Sequence, residues 1–142
     1  MIDIRKSKLE DAELLGYNLS SNFNPLESSK FCFTLIKDDQ YLAMFGSIEV
    51  NNGTHRLWLI LNKEGKRYPL LYTKTVKAAL GNIRLLDPAT RRVELTVRDD
   101  FKSGKDWAEM LGFVKEGLLH NYDPEDSMDH VIYYLPEDKW NG

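Results

Sequence analysis

The densest group of chemically useful side chains is a run of cations around one glycine, Asn62-Lys63-Glu64-Gly65-Lys66-Arg67-Tyr68-Pro69. Lys63, Lys66 and Arg67 can each meet a phosphate oxygen through a charge-assisted hydrogen bond. Gly65 permits a tight turn, and Pro69 withholds a backbone donor while suiting the first turn of a helix. The plainer reading of this run is a solvated basic loop. Two further groups can move protons: the carboxyl of Glu94 and the phenol of Tyr122. Glu94 also reads simply as an ion-pair partner at a surface or sheet edge. The other reactive residue types form no constellation. His55, His120 and His130 lack metal-ligand spacing and a cysteine cluster, so no metal is expected and each reads as a strand-end polar residue. Ser28-Ser29 has no nucleophile-elbow context, and the chain has no phosphate-binding P-loop. Cys32, the single cysteine, lies between Phe31 and Phe33 and reads as a small buried hydrophobe.

These groups need elements to position them, and the clearest are in Arg92 to Tyr122. Val93, Leu95 and Val97 alternate with Glu94, Thr96 and Arg98, which predicts a half-buried strand with Glu94 on its polar side. A helix follows from Phe101 to Leu111, with Trp107 and Leu111 on one face and Gly112 at its left-handed end. Phe113 restarts an extended run that ends near Tyr122, before the loop Asp123-Pro124-Glu125-Asp126, and His130 to Leu135 is the next strand.

Upstream, Met1 to Lys6 predicts a short strand. Ser7 then reads as the cap of a helix with Glu10 completing a capping box and Leu9, Ala12, Leu15 and Leu19 on one face. Residues 20 to 30 read as a Ser/Asn-rich loop around Pro25. Phe31 to Ile36 and Tyr41 to Val50 form strands joined at Lys37 to Gln40, and Asn52-Gly53 marks a second hairpin. His55 to Leu61 is apolar on both faces after Arg56, as a central strand would be. From Pro69 to Leu80 the spacing is helical, and Gly81-Asn82 and Asp87-Pro88 end it. That helix crosses to the strand beginning at Arg92, a parallel connection. The closing residues, from Pro136, read as a solvated or partner-binding tail anchored by Trp140.

At 142 residues, with 42% apolar and 29% charged residues and a net charge of −3, the chain suits one domain, 1–142. That charge gives no footprint for nucleic acid. No apolar stretch suits a signal peptide or a membrane span, so a cytoplasmic location is expected.

The unit of Leu95, Val97, Leu111-Gly112-Phe113, Glu116-Gly117 and Tyr133-Tyr134 resembles the GNAT acyltransferase superfamily, in which a strand leads to a helix ending in L-G-F and then to a long hairpin. The overall layout also resembles the short GNAT-like proteins of tailed bacteriophages. The resemblance implies a mixed α/β GNAT fold, acetyl-CoA as co-substrate and a primary amine as acceptor, with a protein partner or a homodimer as a further possibility. It implies a cleft between the strands His55 to Leu61 and Arg92 to Arg98. Backbone groups of Leu59, Ile60 and Leu61 would hold pantetheine, and Lys63, Gly65, Lys66 and Arg67 the pyrophosphate. Glu94 and Tyr122 become the catalytic candidates. Three departures stand beside this. The family's glycine-rich loop, (Arg/Gln)-x-x-Gly-x-(Gly/Ala), is absent. The tyrosine five residues before the phenylalanine of L-G-F is Ala108. An asparagine common at the start of that helix is replaced by Asp100, Phe101 and Lys102. A catalytically silent GNAT-like phage protein, acting in virion assembly or host takeover through protein contacts, is therefore the second reading.

Overall fold

Alternation and turn chemistry account for most of the strand order. A computed structural model describes residues 1–16, 28–62 and 65–140. Its strands are β1 (Ile2–Lys6), β2 (Phe31–Lys37), β3 (Gln40–Asn51), β4 (Thr54–Leu61), β5 (Arg92–Arg98), β6 (Val114–Leu119) and β7 (His130–Tyr134). The helices among the described residues are α1 (Leu9–Leu14), α2 (Pro69–Gly81), α3 (Ile83–Leu86), α4 (Lys102–Met110) and α5 (Glu137–Trp140). Hydrogen-bonded neighbours run β1-β2-β3-β4-β5-β7-β6, a mixed sheet with β4 in the middle, as its two apolar faces predict. The β2–β3 turn places Asp38 and Asp39 at φ 50° and 65°, the mirror-image turn that suits strand twist. No helix among the described residues is long and apolar enough to cross a membrane.

The chain forms two compact units, Met1–Glu49 with Leu57–Ala79 and Val50–Arg56 with Leu80–Gly142. In the first, Ala12, Leu15, Cys32 and Met44 make one buried cluster against which Tyr41, Trp58 and Ile60 pack. Leu35, Leu42 and Ala43 make another, with Leu59, Leu61, Tyr68, Leu71 and Tyr72. Helix α1 differs from its sequence reading. Lys8, not Ser7, occupies the cap, and the carboxylate that accepts its backbone N–H belongs to Asp11, not Glu10. The helix ends at Leu14, with Gly16 at φ 81° just beyond it, and Leu19 falls outside the described residues.

In the second unit β4 and β5 pair in parallel at Thr54–Arg92, His55–Val93 and Arg56–Glu94. β7 then pairs antiparallel with both β5 and β6. Val93, Leu95, Val131, Tyr133 and Leu135 are buried, as are Ala108, Leu111 and Phe113. Helix α4 packs on β5 and β6 and ends as the L-G-F unit predicts. The Gly112 N–H donates to Glu109 O and the Phe113 N–H to Ala108 O, both at 3.0 Å, with Gly112 at φ 101°. This double closure needs the left-handed residue that glycine supplies. Trp140 anchors the tail: it is 2% exposed and its Nε1–H donates to Leu135 O, while Glu137 to Lys139 are exposed.

Candidate functional site

In the first unit β4 delivers its apolar end to a turn with three backbone donors already bonded. Leu59, Ile60 and Leu61 are half-buried, with Leu59 and Leu61 on one apolar cluster and Ile60 on the other. The chain then reaches Gly65–Arg67, a single 3₁₀ turn, before α2. Asn62 organises this turn: its N–H donates to Leu42 O and its side-chain amide to Tyr41 O. Its Oδ1 accepts the Gly65 N–H at 2.6 Å, and its backbone carbonyl accepts the Lys66 N–H at 3.3 Å. The Tyr68 N–H donates to Gly65 O, and Pro69 has no N–H to offer. A Cβ at position 65 would lie 2.0 Å from Leu42 O, so close packing of backbone on backbone requires this glycine. Lys66 and Arg67 point outward as exposed side chains, and Lys63 lies outside the described residues.

The second unit holds the two proton-transfer candidates in one network. Glu94 is 4% exposed, and both of its oxygens are occupied. Oε2 accepts from Arg56 Nε and Nη2 at 2.8 and 2.6 Å, and Oε1 accepts from Arg92 Nε at 2.9 Å. The period of two puts Arg92 on the same face of β5, and the β4–β5 register brings Arg56 directly opposite Glu94. Arg56 Nη1 also donates to the Tyr122 hydroxyl, so the structure joins the two candidates through one guanidinium. Tyr122 sits in the loop after β6, which ends at Leu119, and its ring lies tilted against that of His130 with centroids 4.9 Å apart. A phenol oxygen that accepts a bond keeps its own proton to donate.

The network extends at both ends. Arg92 reaches Glu116 and lies over the Tyr134 ring, and its guanidinium holds the Glu116 carboxyl below the usual range. His130 Nε2 lies 3.2 Å from Asp123, and Arg98 bonds Asp100, Asp123 and Asp126. The Asp123 carboxyl is lowered, chiefly by the Glu125 N–H and then by His130. Arg98, followed by the Met128 N–H, lowers Asp126. Nothing local in the chain marks Arg56 as the link, because only strand register brings it there. Ala108, at the position of the family's tyrosine, is fully buried. His55, at the start of β4, is also buried and lies 2.8 Å from Asp87, which accepts the Ala89 N–H as well. His120 and His130 flank the β6–β7 loop as strand-end residues.

Solved structures supply the comparison for this arrangement. No protein-family model matches the sequence, and no curated protein sequence matches it. Mutant forms of the spermidine/spermine N-acetyltransferase SpeG from Vibrio cholerae match at TM-score 0.77 and 15% identity, over 99% of this chain and 97% of that one. An acetyltransferase of the GNAT family from Streptococcus pneumoniae matches at TM-score 0.71 and 16% identity, over 94% and 98%. At these identities the agreement is one of fold, and the fold is that of the GNAT acetyltransferases.

Proposed function

We propose that this chain with the GNAT fold is an N-acetyltransferase of that superfamily, moving an acetyl group from a pantetheine thioester, acetyl-CoA in the simplest case, to a primary amine. The observation that carries the reading is the end-to-end agreement of its fold with enzymes that acetylate amines. In this reading the backbone of Leu59, Ile60 and Leu61 receives the pantetheine arm, and the side chains of Lys63, Lys66 and Arg67 meet the phosphates beside Gly65. The amine nitrogen attacks the thioester carbonyl, the C–S bond breaks, and the thiolate must gain the equivalent of the proton the amine loses. Tyr122 is the group with a proton to give. Glu94 acts at one remove by holding the Arg56 guanidinium that aims Tyr122.

Thermal unfolding with and without acetyl-CoA tests the reading. A ligand at about 100 times its dissociation constant stabilises by roughly 2.7 kcal/mol, a rise of roughly 5 to 10 °C in Tm for a domain of this size. The rise should be lost when Lys66 and Arg67 are both changed to Ala, and no rise at saturating acetyl-CoA rejects the cofactor assignment. If Tyr122 is the acid, Tyr122→Phe should lower kcat by about 100-fold with little change in KM.

Two observations favour a second reading. The turn at Gly65 is closed on Asn62 and Ala108 fills the tyrosine position, as a catalytically silent module would permit. Such a module, of the type carried by tailed bacteriophages, would act in virion assembly or host takeover through protein contacts. Absence of both acetyl-CoA binding and acetyl transfer, with a stable partner recovered, would establish it.

A further inference from the structure

The turn and helix from Gly65 to Gly81 combine two features that a free nucleotide thioester does not require together. First, three backbone donors at the turn are already used. The Gly65, Lys66 and Tyr68 N–H groups bond within the turn and Pro69 has none, whereas a pyrophosphate held at a strand-to-helix loop relies on such donors. Second, the cationic surface continues well past the turn. Lys66, Arg67, Lys74 and Lys77 are all exposed, and residues 65–81 contain no acidic residue, in a chain whose net charge is −3. Leu70, Lys74 and Lys77 are spaced to share one face of α2, and Leu70 is 84% exposed among these cations. From Leu70 to Lys77 that face runs for about 10 Å along the helix, beyond the reach of a phosphate pair seated at the turn.

We propose that this face docks a small acidic carrier protein presenting its acyl group on a phosphopantetheine arm, and that the carrier-bound thioester is the preferred donor. The inference rests on the acyl-transfer reading above and specifies its donor. An acidic amphipathic helix matches the surface in charge and offers an apolar residue to cover Leu70. The pantetheine arm is common to both donors. The reaction is also unchanged in its balance: the C–N bond forms as the C–S bond breaks, the amine loses a proton, and the carrier leaves with its thiolate protonated to the thiol. Anchoring passes from nucleotide phosphates to the protein that carries the arm.

The test compares two probes, acetyl-CoA and a purified bacterial acyl carrier protein bearing an acetyl-phosphopantetheine arm, on the full chain and on a Lys74→Glu/Lys77→Glu variant. Both lysines are exposed, so Tm should be unchanged in the variant. The carrier protein should bind the wild type and lose about 10-fold or more in affinity on the variant, while acetyl-CoA binding stays the same. Transfer to an amine should have a higher kcat/KM from the acetylated carrier than from acetyl-CoA. Equal carrier binding to both proteins, or none, overturns the proposal. If acetyl-CoA still binds in that case, the acyl-transfer reading survives; if neither probe binds, both fail. Tighter binding of a short single-stranded DNA than of the carrier also overturns it, in favour of a nucleic-acid surface.

Discussion

Asp11 and Glu94 are both buried carboxylates held by arginine, one in each compact unit, and they differ in the origin of their donors. Asp11 accepts from Arg5 Nη1 and Nη2 at 2.9 and 2.8 Å, from the Lys8 N–H at 2.7 Å and from the Thr34 hydroxyl at 2.8 Å. Two of its partners are a backbone amide and a fully buried hydroxyl that is itself bonded to Ser7 Oγ, and that buried hydroxyl cannot turn to water. Glu94 is held only by two long side chains, each about 70% buried, and each continues to another partner at the exposed end of the network. The first carboxylate therefore acts as a fastener joining β1, α1 and β2. The second is a junction whose far ends, Tyr122 and Glu116, lie where a ligand can reach them. Burial and arginine pairing alone do not distinguish the two; whether the donors are fixed in the backbone and core or carried on long side chains does.

Removing the fastener should have the largest effect. Asp11→Ala leaves Arg5, Thr34 and the Lys8 N–H without their common acceptor, at a cost of about 3 kcal/mol and a fall of roughly 10 °C in Tm. Glu94→Gln should cost about 1 kcal/mol, because Arg56 and Arg92 can turn to water and the amide oxygen still accepts. Equal losses in calorimetry would break the distinction. Acid titration sharpens it. Burial alone would raise the Asp11 carboxyl, but the bonds from Arg5, Lys8 and Thr34 outweigh burial and hold it below its ordinary range. A depressed carboxyl contributes stability that is complete above its unfolded value, about pH 4, and is lost as pH falls through the folded value. The stability gap between wild type and Asp11→Asn should thus be constant near neutrality and narrow below about pH 4.

The fold was more legible than the site because local chemistry writes turns and periods but not register. Asn52-Gly53 announced its hairpin, and Gly53 sits at φ 80°. Leu111-Gly112-Phe113 announced the end of α4, and the unbroken apolar run Leu57 to Leu61 announced a central strand. Arg92 beside Glu94 was implicit in the period of two. Arg56 was not, since it meets Glu94 only through a parallel pairing made after a helical crossover. Asp11 carries no local sequence signal of burial, because one of its partners, Thr34, is 23 residues away. Trp140 reads as the anchor of the closing tail, but nothing near it in sequence shows what it anchors to: Leu135 O accepts its N–H and Arg84 lies 4.6 Å from its ring centre.

The smallest expected effect is also the most direct probe of the fastener while the protein remains folded. Cys32 is 8% exposed beside this cluster, and its backbone carbonyl accepts the Ser7 N–H. Burial raises its thiol to about 11, with the Asp11 charge adding to the rise and a bond to Ser7 opposing it. At pH 8 about one thiol in a thousand is then ionised, so iodoacetamide should label the native protein far more slowly than the urea-unfolded chain. Asp11→Asn removes one contribution and should speed native labelling by a few-fold at most. If wild type already labels at the unfolded rate, β2 opens faster than the reagent reacts, and Asp11 cannot be the fixed point its four donors imply. If only the variant reaches that rate, the carboxylate itself keeps the segment closed.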